Sequence, residues 1–240
     1  KVFHRFADRL KKTRTHPVIN PQINRDQPPT EFHFLEQRLW LDPLCAMYWE
    51  DQDMLIISDL HLGKSGHFRR YGTPLPRKVG DNNLWNLALL LDRYSPEKVL
   101  LLGDLFHSEH NEEWDQFLDL KANYPGIKWI LVKGNHDILD ETIYSLSNLE
   151  VVDVLHLGPF CFVHEPDDLK GKTGYGLAGH IHPCVRLSGK ARQSLRLKCF
   201  WFGKSEGVMP AFGDFTGSHR VVPKKGDDVY VIAGDVVRKV

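Results

Sequence analysis

Five short apolar runs in this sequence each lead into a residue type that binds metal ions. Met54–Ile57 leads into Ser58-Asp59-Leu60-His61, and the run 99–102 into Gly103-Asp104-Leu105. The run 129–132 is followed by Gly134-Asn135-His136-Asp137, and the run 160–163 by His164. The stretch around Leu177 leads into Gly179-His180-Ile181-His182. Carboxylate, amide and imidazole without thiolate suit manganese, iron, zinc or cobalt in an open catalytic site. In Asp59-Leu60-His61 and in His180-Ile181-His182, residues two apart on an extended segment point the same way, which predicts ligands paired on one side of the chain. Gly103 and Gly179 lack a Cβ, so tight turns and a close approach of metal or phosphate are expected there. Each fragment alone has a plainer explanation: a surface pair, a turn, or a hydrogen-bonded core histidine. Ordered behind successive apolar runs, they supply enough ligands for two ions.

These ligands need strands that end at one edge. Short apolar runs of this kind read as buried strands, and a further strand is expected over 229–233. Between them, Leu84, Leu87, Ala88 and Leu91 repeat at helical spacing within 83–94, and 112–124 carries Trp114, Phe117, Leu118 and Lys121 on or beside one face. Alternation at Phe32, Phe34, Leu39 and Leu41, continuing through Ala46-Met47-Tyr48-Trp49, predicts a hairpin at the start. Strand and helix alternating as far as residue 133 argue an α/β core with some parallel pairing. Past residue 150 strands dominate. In open α/β sheets, sites collect at the carboxyl ends of the strands.

Composition narrows the class. The chain has 240 residues, enough for one large domain, and Lys+Arg and Asp+Glu balance at 31 each, so net charge alone points to no polyanionic partner. Four widely separated cysteines, with no Cys-x-x-Cys pair, exclude a four-thiolate structural zinc; Cys161 and Cys199 read as small core residues. With no signal-peptide pattern and no apolar run near the roughly 18 residues that span a bilayer, a cytoplasmic protein is expected. Residues 1–30 form a basic, Pro- and Asn-containing arm, read either as flexible or as following a phosphate backbone, and 31–240 are expected to form the domain proper.

The ordered series Asp-x-His, Gly-Asp, Gly-Asn-His-Asp, His and Gly-His-x-His, from Met54 to His182, resembles the calcineurin-like metallophosphoesterase superfamily. The resemblance implies a four-layer sandwich of two mainly mixed β-sheets flanked by helices. It implies one metal held by Asp59, His61 and His182, a second by Asn135, His164 and His180, and Asp104 bridging both. His136 would face the substrate, as the candidate proton donor to the leaving oxygen, with Asp137 or the main chain holding its ring. Two departures stand out: His107 occupies the position where many members have a second Asp, and His164 is followed by Glu165-Pro166 rather than Gly.

A narrower similarity rests on three stretches. They are Asp59-Leu60-His61-Leu62-Gly63-Lys64-Ser65-Gly66-His67-Phe68-Arg69-Arg70, Gly103-Asp104-Leu105-Phe106-His107, and Cys199 to Gly203 followed by Met209 to Gly217. They are similar to the bacterial DNA-ligase-associated metallophosphoesterases. That clade implies a manganese-favouring phosphodiesterase, acting as a single-strand DNA endonuclease in DNA repair, associated with a helicase, a ligase and an exonuclease.

Lys64, His67, Arg69 and Arg70 are candidate phosphate contacts, or ordinary solvated side chains. Arg186, Lys190, Arg192, Arg196 and Lys198 form a second basic segment that reads as a polyanion track or a solvated loop. Phe200-Trp201-Phe202 offers either base stacking or, for Phe200 and Phe202, core packing. The competing readings are a phosphomonoesterase or nucleotide hydrolase on the same metals, and a non-catalytic scaffold.

Overall fold

The alternating segment near the start forms three antiparallel strands, β1 (Thr30–Phe34), β2 (Gln37–Asp42) and β3 (Ala46–Trp49). Leu35 and Glu36 turn β1 into β2 with both φ positive, 50° and 61°, the two-residue geometry that matches strand twist. In this computed structural model, residues 28–63, 78–106, 112–188, 194–214 and 216–240 are described. The basic arm up to residue 27 lies outside them, as do Lys64, His67, Arg69, Arg70, His107, Lys190 and Arg192.

Next comes the α/β part: β4 (Met54–Ile57), α1 (Lys78–Tyr94), β5 (Lys98–Leu102), α2 (Glu112–Ala122), β6 (Lys128–Val132), α3 (Glu141–Leu146) and β7 (Glu150–Val152). β4 to β7 are parallel neighbours, and β1 to β7 make one seven-stranded sheet in sequence order. α1 begins five residues before the expected start, and α2 ends two residues short of Tyr124. α3 has no counterpart in the sequence reading: its six residues are too few to show a helical period, although Asp140 caps it by accepting the Thr142 amide at 2.9 Å.

The remaining strands build a second, nine-stranded mixed sheet. They are β8 (Leu155–Leu157), β9 (Phe160–Phe162), β10 (Tyr175–Ala178), β11 (Pro183–Ser188), β12 (Ser194–Phe202), β13 (Glu206–Val208), β14 (His219–Arg220), β15 (Asp228–Ala233) and β16 (Val236–Lys239). Their order is β14-β11-β12-β13-β10-β9-β8, with β15 on β12 and β16 on β15. β9, β10 and β13 are parallel neighbours.

Both faces of the central strands are buried, which is why they read as continuous apolar runs. Leu55, Ile57, Val99, Leu101 and Leu131 pack with Leu87, Leu91, Trp114, Phe117 and Tyr144 of α1, α2 and α3. Met54, Ile56, Leu100, Leu102 and Val132 pack on the other side with Phe160, Phe162, Leu177, Phe200 and Phe202 of the second sheet. The layers are therefore helices, sheet and sheet; over the outer face of the second sheet the described residues add the 3-10 turn Pro166–Leu169. Phe200 and Phe202 are core residues rather than stacking platforms, and all four cysteines are buried and free. No described helix is long and apolar enough to cross a membrane.

Trp49 joins the layers: it meets Phe160 edge-on, with ring centroids 5.0 Å apart, and its Nε1 donates to Gln37 Oε1 at 3.1 Å. Trp49→Ala is expected to lower stability by ~3–5 kcal/mol in denaturant melts. Leu195→Ala, at a 58% exposed position, should change it by no more than about 0.5 kcal/mol.

Candidate metal centre

The carboxyl ends of β4, β5, β6, β9 and β10 open into the segments that carry Asp59, Asp104, Asn135, His164 and His180. The chain there is not extended, contrary to the expectation for Asp59-Leu60-His61 and His180-Ile181-His182. Asp59, His61, Asp104, His180 and His182 all adopt the left-handed region, with φ of 55°, 51°, 49°, 66° and 51°. Each such residue costs ~1–3 kcal/mol in strain and persists only where its surroundings over-determine it. Here the amides of Asp59, His61 and Leu62 donate to the carbonyls of Gly103, Asp104 and Leu105 at 3.1, 2.9 and 2.8 Å, which staples the two turns together. The turns also send His180 and His182 into different clusters, so they are not the parallel pair an extended segment would give.

One cluster is Asp59, His61 and His182, and the other is Asp104, His164 and His180; within each, the potential ligand atoms lie within 4.8 Å of one another. Asp104 sits between them. Its Oδ1 is 3.3 Å from His164 Nε2, and its Oδ2 is 3.7 Å from His61 Nε2. The His136 amide donates to Asp104 Oδ1 at 3.0 Å, and the His136 ring stands edge-on to that of His61, centroids 5.6 Å apart. Asn135 lies between Gly134 and His136 in the same turn, with its side chain exposed. The buried Asp137 carboxylate accepts the amides of Phe106 (3.1 Å) and Gly134 (2.8 Å), so it organises the loop. Burial pushes its pKa up to about 6, against those two amide bonds.

The ring tautomers test whether cations fit. His182 Nδ1 donates to the Gly217 carbonyl at 3.1 Å, so in the neutral ring it is Nε2 that carries the lone pair. That Nε2 is 3.1 Å from Asp59 Oδ1 yet makes no hydrogen bond among the described residues. Two lone-pair atoms held this close repel unless a positive charge lies between them. In the second cluster His164 Nδ1 donates to the Leu102 carbonyl at 3.2 Å, while Nε2 faces His180 Nδ1 at 3.2 Å and Asp104 Oδ1 at 3.3 Å. A single proton can occupy that convergence, and a cation would take its place. Burial alone would lower the His164 pKa, but the Asp104 hydrogen bond, the Asp59 and Asp104 charges and the Leu102 carbonyl outweigh it and raise it from 6.5 to about 9. Burial would raise the Asp104 pKa, and the His164 bond, the His136 amide and the His61 charge bring it down to about 2. Both clusters therefore fit divalent cations.

Gly103, at φ +75°, and Gly179 are required by the close approach of neighbouring side chains. A Cβ on Gly103 would overlap the His164 ring, and one on Gly179 would overlap Ser58 Oγ and press on Asp59 Oδ2. Three positioning groups were not apparent in the sequence. Ser58 Oγ hydrogen-bonds Asp59 Oδ2, the Gly217 carbonyl orients His182, and the segment after β13 lies along the Asp59 turn, with Phe212 and Gly213 amides on the Ser58 and Asp59 carbonyls at 2.8 and 3.0 Å. The stretch from Met209 to Gly217 was legible as a motif, but its partners are distant in sequence. Lys198 is not in a solvated loop: it lies in β12, and its Nζ donates to the Ala211 and Gly213 carbonyls at 2.7 and 3.2 Å.

Because the His164 pKa is raised on folding, its contribution to the stability of metal-free protein is complete below about pH 6.5 and disappears as pH rises through about 9. The melting temperature of chelated protein should therefore fall across that window, and His164→Gln should flatten the slope. Gly103→Ala should lose bound metal, read by elemental analysis, while leaving most of the secondary structure seen by circular dichroism.

A model of the calcineurin-like phosphoesterase family matches residues 54–189. Among solved structures the chain aligns with Pseudomonas putida nuclease MPE at 28% identity and TM-score 0.73, covering 88% of this chain and all 100% of that one. A protein of unknown function from Aquifex aeolicus aligns at 22% identity and TM-score 0.40, over 54% of this chain and 78% of that one. The E. coli phosphoesterase Yfce aligns at 13% and 0.36, over 77% and 90%. Comparison with curated proteins gave no match. The two-sheet architecture agrees with the Pseudomonas putida structure, and the family match spans the whole series of turns from Asp59 to His182. The chain is a metal-dependent phosphoesterase and belongs to the calcineurin-like phosphoesterase family.

Proposed function

We propose that this chain is a binuclear-metal phosphodiesterase that cuts single-stranded DNA in repair, with manganese as the favoured cation and residues 31–240 as its catalytic domain. The observation that carries the reading is Asp104, with one carboxylate oxygen turned towards each histidine cluster. Asp59, His61 and His182 would hold one cation, Asn135, His164 and His180 the other, and Asp104 both. When bound, the pair of cations supplies a water acidified towards neutrality and neutralises charge on the phosphate oxygens.

The chain's own groups do the rest. The Leu102 and Gly217 carbonyls keep the Nδ1 protons of His164 and His182, so their Nε2 atoms face inward. The His136 amide fixes Asp104, which sets the His136 ring beside His61. From there the ring donates a proton to the leaving oxygen. Glu165, with Oε1 4.0 Å from His180 Nδ1, puts a negative charge at the rim of the second cluster. A terminal phosphate carries two negative charges near pH 7 and a diester phosphate one, so this carboxylate disfavours monoesters. The likeness to a nuclease at 28% identity supports a nucleic-acid diester as substrate.

The test is turnover of bis(p-nitrophenyl) phosphate, p-nitrophenyl phosphate and a single-stranded oligonucleotide by manganese-loaded protein. Diester and oligonucleotide cleavage should dominate; dominant monoester cleavage would move the function to nucleotide or small-molecule dephosphorylation. Asp104→Asn should abolish all three, and retained turnover would refute the bridging role. His136→Ala should lower oligonucleotide cleavage by ~10²-fold or more, because its leaving alkoxide needs a proton. The aryl diester should lose far less, since nitrophenolate leaves unprotonated. Glu165→Gln should raise monoester relative to diester turnover severalfold.

A further inference from the structure

One basic surface is absorbed by none of these roles. Pro183, the first residue of β11, directly follows His182. In the β11–β12 ladder Cys184 pairs with Lys198, Arg186 with Arg196 and Ser188 with Ser194, while on the other side β14 places Arg220 beside Cys184. Residues paired in register share a face of the sheet, and residues two apart on a strand do too. Arg186, Arg196, Arg220 and Lys198 are therefore on one face.

The alternation along β12 shows which face it is. Phe200 and Phe202, in step with Arg196 and Lys198, are in the core between the two sheets. Cys199, out of step with them, packs with Val185, Val229 and Val231 on the opposite side, where Leu197 and Trp201 also lie. The basic face is thus the inner face of the second sheet, continued past the end of the core. Lys198 marks the boundary, since its amine caps the Ala211 and Gly213 carbonyls in the segment bound to the Asp59 turn. Beyond it Arg186, Arg196 and Arg220 are exposed, and none has an ion pair among the described residues. The three strands contain no acidic residue. Like charges directly opposed across strands, as Arg186 and Arg196 are, repel one another. A polyanion laid over them would relieve that repulsion.

We propose that Arg186, Arg196 and Arg220 form a track for the sugar-phosphate backbone of the strand flanking the scissile phosphate, with Lys198 as its structural anchor. The proposal rests on the nucleic-acid reading above and names where that substrate lies. Such contacts are independent of base sequence, and guanidinium suits them because it can engage phosphate oxygens through two N–H bonds. The track leaves from His182, so the strand it holds passes the Asp59, His61 and His182 cluster.

The test compares the full chain with an Arg186→Gln, Arg196→Gln, Arg220→Gln variant, both manganese-loaded, on a fluorescent single-stranded oligonucleotide and on bis(p-nitrophenyl) phosphate. The variant should bind the oligonucleotide at least tenfold more weakly at low salt. Its plot of log affinity against log salt should be shallower by about 2, from three contacts at ~0.7 each. The ratio of oligonucleotide to aryl-diester turnover should fall at least tenfold. An Arg186→Lys, Arg196→Lys, Arg220→Lys variant should recover the salt slope, which separates lost charge from lost packing. Unchanged affinity and slope in the glutamine variant, with oligonucleotide cleavage intact, would overturn the track while leaving the nuclease reading standing. A wild-type chain that hydrolyses the aryl diester but neither binds nor cuts DNA would overturn both.

Discussion

A buried carboxylate flanked by imidazole nitrogens from two clusters is stable only if positive charge sits among them. Asp104 is in that position: it is 2% exposed, with His164 on one oxygen and His61 near the other. In metal-free protein the raised His164 pKa supplies part of that charge as a proton. Divalent cations supply more, and compete for the same lone pairs. The surrounding structure is organised to keep those lone pairs converging. The Leu102 and Gly217 carbonyls lock two rings, and the His136 amide locks the carboxylate.

The strain of five left-handed residues has to be held by something rigid, and the two-sheet core does this. β4, β5 and β6 are buried on both faces, by helices on one side and by the second sheet on the other. Their ends therefore cannot relax outward. Three cross-links then tie the second sheet to the first at the site itself. The His180 amide donates to both Asp59 oxygens, at 3.3 and 3.1 Å; His164 donates to Leu102; and the segment after β13 lies along the Asp59 turn. The site thus forms only when the sheets are docked, which links metal retention to the whole fold.

Electrostatics around the clusters is uneven in a way that suits a long polyanion. Glu165 stands at the rim of the second cluster, while exposed arginines follow the first on strands that contain no acidic residue. The balanced net charge of the chain hides this local asymmetry. A phosphate inside a chain, singly charged, meets less repulsion at the Glu165 rim than a terminal one.

Much of this was legible in the sequence because it is local. Each of Asp59, Asp104, His164 and His180 follows an apolar run, and a strand buried on both faces ends where that run ends. The α/β architecture and the candidate ligands could be read that way, whereas the family and the grouping of the ligands rested on resemblance to a known series of motifs. What depended on pairing between distant segments could not. The extended geometry expected around His61 and His182 gave way to left-handed turns, because hydrogen bonds from other loops hold the backbone there. Asp137 stands next to His136 in sequence, and only the folded chain brings its carboxylate the amide of Phe106 as well as that of Gly134. Lys198 and Arg196 looked alike within one basic segment, but strand register and the approach of residues 211–213 made one an anchor and left the other exposed. Composition and periodicity determine which strands and which chemical groups exist, since those follow from neighbouring residues. Tertiary structure decides which groups share a charge, a proton or a face, since those depend on contacts between residues as far apart as Asp59 and His180.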